Sequence, residues 1–224
     1  MVRKVYEQQK YMYDNSVHSV PDRIVSISQP YIRPIVRGKA ASPVEFGAKI
    51  DLSIDDNGMA RIEKQSFDAY NESDVLIGAV ERYRKRTGHY PKRVLADKIY
   101  RNRNNLRYCK EHGIRLSGPA LGRPKKESSE DKNLIYTDAV DRIEIERGFS
   151  LAKRCYGLGL IRTKLDTTTR SSICLSIIAM NVARLSAAIL RKFVKAVFKD
   201  TKSNIWYYLT YENGIQRLIL LEVG

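Results

Sequence analysis

Between residues 44 and 96 the hydrophobic pattern changes its period twice, and this limits the fold more than any other feature of the chain. VEFGAKIDLSI (44–54) alternates apolar and polar residues, as a half-buried strand does. Asp55-Asp56-Asn57-Gly58 is a turn signal, and MARIEKQSF (59–67) follows as the return strand of a hairpin. Ser73–Thr87 then places Val75, Leu76, Ala79, Val80 and Tyr83 on one helical stripe, closed by Gly88 and Pro91. RVLA (93–96) is a short run that reads as a buried strand. A hairpin leading through a helix into such a strand predicts an α/β layer, with antiparallel strands giving way to parallel ones.

Outside this window the pattern is less even. RIVSIS (23–28) and YIRPIVRGKA (31–40) also read as β, although Pro30 and Pro34 argue against a central strand. Residues 1–20 resemble the tail of a helix or a lead-in segment. Asn102–Glu111 is a basic helix, Ile114–Ser117 a second short strand, and Gly118–Glu130 the segment with the strongest loop composition. A helix over Asp138–Lys153, a basic loop over Tyr156–Thr169 and a long apolar helix over about Ser171–Lys199 complete the pattern. Within that last helix Asn181 and Arg184 point to a buried helix rather than a membrane span. Thr201–Gly224 is aromatic and then aliphatic, and both helix and strand remain open for it. Trp206, Tyr207, Tyr208 and Tyr211 there read as a packing cluster sooner than a base-stacking surface.

The charge balance narrows the function. Forty Lys and Arg against 25 Asp and Glu give +15 and a pI near 9.7. Such a surplus points to an anionic polymer, most often nucleic acid. Cys109, Cys155 and Cys174 are widely spaced and lie in no Cys/His cluster, so a zinc site or a disulfide framework is not expected. A reducing cytoplasm is the natural setting, and the polar N-terminus lacks the apolar core of a signal peptide. His18, His89 and His112 are scattered and read as structural or exposed.

Two carboxylates stand out against this basic background. Asp97 follows the buried run 93–96, at the carboxyl end of a strand, where ligands of open α/β sheets bind. The plainer reading is a cap for the next helix. From Lys98 to Lys126 there are nine basic residues and one acidic, a surface suited to tracking phosphates. The second carboxylate is Glu146. Arg142, Glu146 and Lys153 fall along one helical stripe with Phe149, so a carboxylate sits between two cations. Glu144 is about 200° away around the helix and cannot serve the same site. The plainer reading of Arg142 and Glu146 is an ordinary i,i+4 ion pair. Two carboxylates on two elements suit a hard cation such as Mg²⁺, which takes one or two of them plus waters and phosphate.

Two segments carry a specific resemblance. VLADKIYRNRNN (94–105) is similar to the strand–Asp–aromatic–Arg segment, and RIEIERGFSLAKRCYGL (142–158) to the terminal Glu segment, of the DDE transposases of bacterial insertion sequences. VEFGAKIDLSI, FDAYNESD (67–74) and SSICLSIIAMNVARL (171–185) also resemble parts of that family's core, so the likeness spans roughly 23–190. Where the family often has a Tyr three residues before the Arg, this chain has Ala139.

The resemblance implies an α/β, ribonuclease H-like core: a mixed sheet with flanking helices. It implies Asp97 as second Asp and Glu146 as the Glu, both as catalytic and metal ligands, with Mg²⁺ or Mn²⁺ as cofactor. The activity implied is cutting and joining of DNA at element ends by in-line phosphoryl transfer. Double-stranded DNA and transposon ends are the implied partners, contacted by Arg142, Lys153, Arg101, Arg103, Lys98 and Arg154. A homodimer, no membrane and a cytoplasmic, nucleoid-associated location complete the expectation. The family's first Asp has no counterpart: Asp14 and Asp22 lie outside any apolar strand, and Asp51 lies in what aligns with the next strand. The chain is therefore expected to be a C-terminal portion, incomplete at its N-terminus. Its expected divisions are a leading segment or upstream remnant (1–22), a partial catalytic domain (23–200) and a C-terminal tail (201–224). The alternatives are a non-catalytic DNA-binding fragment that interferes with or regulates a full-length transposase, and a non-functional remnant. A ribonuclease H-like nuclease of another kind is a further one.

Overall fold

The computed structural model describes residues 1–36, 44–118, 132–197 and 217–223. Its architecture is mixed α/β, with small open sheets flanked by helices. The hairpin forms as its alternation predicts: β3 (Lys49–Ile54) and β4 (Ala60–Ser66) pair antiparallel around the Asp55–Gly58 turn. Asp55 shapes that turn by accepting from the amides of Asn57 and Met59 with Oδ1, and Gly58 takes the left-handed φ of 74°.

The segment 44–54 is not one strand. It breaks at Gly47 (φ 141°), so β2 (Val44–Phe46) pairs with β1 (Pro34–Val36) in a separate two-stranded sheet. The stretch 23–28 forms no strand. Its Ile24 amide donates to the Gln8 side chain of helix α1 (Val2–Asp14) instead of to a neighbouring strand. Residues 37–40 of the second expected β segment lie outside the described residues.

A 3-10 turn (Glu72–Asp74) leads into α2 (Val75–Thr87), which Gly88 ends in the left-handed conformation. Then follow β5 (Arg93–Leu95), a 3-10 turn (Lys98–Tyr100), α3 (Arg103–Glu111) and β6 (Arg115–Leu116). Residues 119–130 of the expected loop lie outside the described residues. Helix α4 (Lys132–Cys155) starts earlier than its hydrophobic stripe suggests, and α5 covers Asp166–Val197.

The largest described sheet runs β4-β3-β7-β5-β6, where β7 is Arg217–Val223 from the far end of the chain. It pairs antiparallel with β3 and parallel with β5, so it is the seam between the antiparallel and the parallel halves. One face of the sheet packs Ile50, Leu52, Ile54 and Leu95 with Phe149 and Ala152 of α4 and Ile173, Ile177 and Met180 of α5. The other face packs Val94, Ala96 and Tyr100 with Leu76, Val80 and Tyr83 of α2 and Cys109 of α3. Helix α5 is buried on one side only. There Asn181 makes two 2.8 Å hydrogen bonds to the backbone of Ala60, and Arg184 donates to the Gly58 carbonyl.

Candidate functional site

Strand β5 meets helix α4 through arginine–aspartate contacts at both of its ends. At the start Arg93, 5% exposed, donates to Asp138 (2.8 Å) and Asp141 (2.5 Å). Arg115 of β6 adds two more hydrogen bonds to Asp138, at 2.7 and 2.6 Å. Buried charges are tolerated when paired and hydrogen-bonded in this way. The cluster fixes α4 along β5 and thereby sets which helix turn reaches the strand's other end.

That other end carries Asp97. Its backbone is extended (φ −67°, ψ 164°) before the 3-10 turn, but its side chain makes no capping hydrogen bond. Instead Oδ1 accepts from the Arg142 guanidinium of α4. The two side chains are 48% and 33% exposed, so the contact faces solvent. Arg142 is thus paired with Asp97 rather than with Glu146, and its buried Nε has no hydrogen-bond partner among the described residues. Glu146 is exposed one helical turn further along α4. The side chain of its rival Glu144 lies outside the described residues. The segments around 97 and 146, far apart in sequence, therefore meet in space.

The residues after Asp97 hold this geometry. Asn102 caps α3 by accepting from the Asn105 amide at 2.7 Å. Asn105 is buried, and its amide donates to the carbonyls of Ser73 (2.7 Å) and Tyr100 (2.8 Å). Arg101 is half-buried and donates to the carbonyls of Leu116 and Ser117, which ties the turn to the end of β6. Of the six cations expected to contact DNA, Arg101 and Arg142 are half-buried and held by protein groups. Lys98, Arg103, Lys153 and Arg154 are exposed, Arg154 with its Nε 3.4 Å from the Ser150 carbonyl. The loop after α4 turns at Gly157 (φ 77°), and Gly159 sits so close that an added Cβ would be 2.8 Å from the Lys153 carbonyl.

Sequence reasoning missed the role of Asp51. It is fully buried in β3, and its two oxygens accept from the hydroxyls of Tyr70 (2.6 Å) and Tyr100 (2.9 Å). Burial raises its pKa above the ordinary carboxylate value, against the pull of both tyrosines. Burial likewise pushes the Tyr100 hydroxyl upward, and the Cys109 thiol to about 11. Next to Asp51 the buried Lys49 pairs with Glu72. The sequence signal was an acidic residue inside an apolar strand, but only the fold supplies the tyrosines. The strand beside β5 carries no Asp; its acidic residue Glu222 is in register with Asp51.

Among the described residues no three His, Cys, Asp or Glu side chains converge, and Asp97 is paired with Arg142.

Residues 94–183, from β5 to the middle of α5, match the family model described as "Transposase DDE domain". Over that stretch the chain is similar to part of a DDE-type transposase domain, and both segments around Asp97 and Glu146 lie within it. No curated protein and no solved structure matches the chain.

Proposed function

We propose that this chain carries the second and third acidic segments of a DDE-type DNA transposase, with Asp97 and Glu146 as the groups that face the scissile phosphate. The observation that carries the reading is the contact between Arg142 and Asp97, which joins two segments of one matched family stretch across 45 residues. Exposed Lys98, Arg103, Lys153 and Arg154 surround it on the sequence and would attract a phosphate backbone. The sheet order supports a ribonuclease H-like core: an antiparallel pair, a central strand and a parallel pair. The family reading implies Mg²⁺ or Mn²⁺. Two carboxylates, one of them paired with a guanidinium, do not make that site alone, so this chain by itself is expected to bind DNA and to cut it weakly or not at all.

The second reading, a DNA-binding fragment without catalysis, is favoured by the +15 charge, and among the described residues no third carboxylate joins Asp97 and Glu146 in a cluster. One experiment separates them. Purified chain is incubated with labelled duplex DNA and Mg²⁺ or Mn²⁺, beside Asp97→Asn and Glu146→Gln. Residual nicking abolished by both substitutions supports the catalytic reading. Tight, salt-sensitive binding with no nicking supports the fragment. Binding that barely changes between 50 and 200 mM salt, where a contact to many phosphates loses about 10³-fold or more, sinks both.

A further inference from the structure

Helix α5 leaves one long side uncovered. Leu175, Ile178, Val182, Leu185, Ile189 and Phe193 are each 52–63% exposed, an unusual state for six large apolar side chains on one element. Their spacing is three, four, three, four and four, the alternation that keeps a seam on one side of a helix over about 27 Å. The opposite side is occupied: Ile173, Ile177 and Met180 enter the core, and Asn181 and Arg184 bind the β3–β4 hairpin.

We infer that this seam is a self-association surface whose occupant is α5 of a second copy of the chain. Three features select that occupant. A seam with this period is filled by a helix of the same period, because each knob must find a hole between side chains three and four apart. The copy's own α5 meets that requirement. Charge agrees over most of the seam: from residue 171 to 190 the only charged residue is Arg184, which faces the hairpin, and the exposed Arg191 and Lys192 stand only at the seam's end, before Phe193. Two molecules of net charge +15 can therefore approach along residues 175–189 without opposing like charges, provided the two helices run antiparallel and keep their Arg191 and Lys192 ends apart. The same lack of cations over residues 175–189, Arg184 apart, makes that stretch unsuited to DNA. Size agrees as well, since covering these side chains on both copies removes on the order of 1,200 Å² from water, the lower end of stable interfaces. None of the six side chains is among the residues assigned to the catalytic reading, so the inference does not depend on that reading.

A bilayer is the rival occupant, because Asp166–Val194 is long and apolar enough to cross one by length and composition. The test is sedimentation of the full chain from about 1 to 100 μM, beside the double variant Val182→Glu/Leu185→Glu. Both positions are exposed, so the fold should persist, checked by an unchanged cooperative melt. The expected result is a dimer that the double variant weakens by at least about 100-fold. If the double variant does not melt cooperatively, the milder Leu185→Ser takes its place, with at least about a tenfold weakening expected. A wild-type chain that stays monomeric at the top concentration overturns the inference, as does a dimer indifferent to whichever variant folds. Wild-type chain that floats with phosphatidylcholine vesicles while the variant stays behind assigns the seam to lipid and overturns it too.

Discussion

The two ends of β5 make the same kind of contact with the same helix and obtain opposite results. At the start, one arginine and two aspartates of Arg93, Asp138 and Asp141 are almost out of water, and Arg115 adds bidentate support. At the finish, Asp97 and Arg142 touch through a single hydrogen bond and stay half in solvent. A buried network with its lone pairs used is locked, since removing one partner strands a charge in low dielectric. An exposed pair is screened, weak and exchangeable. The helix is thus anchored at one place and left adjustable at the other, four residues along, and both places lie within the stretch that matches the family model, apart from Arg93 just before it.

The sharpest way to break this contrast is Arg93→Ala. It leaves Asp138 and Asp141 short of their buried partner, and a loss of about 3–5 kcal/mol in urea unfolding is expected. A loss below about 1 kcal/mol would mean that the cluster is wetter than its burial implies. Next in size is an uncharged anchor. Asn181→Ala strands the Ala60 amide and carbonyl and should cost about 1–3 kcal/mol in the same assay.

Asp51 gives a smaller effect with a definite sign. Burial raises its native pKa above 3.8, so the folded state keeps this proton to higher pH than the unfolded chain. Its contribution to stability is complete below pH 3.8 and falls as pH rises through the native pKa. Asp51→Asn removes the titration and retains an acceptor for the tyrosines. The stability of wild type minus that of the variant should therefore decline from pH 4 upward, measured by thermal melts across pH. A difference that grows with pH contradicts a buried, reluctant carboxylate. The smallest effect belongs to the open end of β5. Arg142→Ala should cost at most about 1 kcal/mol, and high salt should shrink that cost while leaving the Arg93→Ala cost nearly unchanged.

Much of this was legible in the residues. The alternation of 49–66 and the stripe of Ser73–Thr87 became a hairpin and a helix because local pattern and tertiary demand agree there. The segment 23–28 had the composition of a strand and formed none, since a strand also needs a neighbour and its Ile24 amide found Gln8. The candidate site was half legible. Spacing singled out Arg142 and Glu146, and position singled out Asp97. The pattern suggested an i,i+4 pair within α4, yet the guanidinium chose a carboxylate 45 residues away. Arg101 read as a phosphate contact, while the fold gives its guanidinium two carbonyls to hold. The apolar helix after residue 170 read as buried, and only one side of it is.

By itself the sequence determined the basic surface, the order of described helices and strands from β3 to α5, and the two acidic segments. Those follow from composition and from periods of 2 and 3.6, which are local properties of a chain. Beyond the β3–β4 hairpin, tertiary structure alone decided which strands are neighbours. Nothing in RLILLEV says that it should lie between β3 and β5, antiparallel to one and parallel to the other. That choice is made by unpaired backbone amides and carbonyls on two strands more than 120 residues upstream, and hydrogen bonds between distant segments leave no trace in a local pattern.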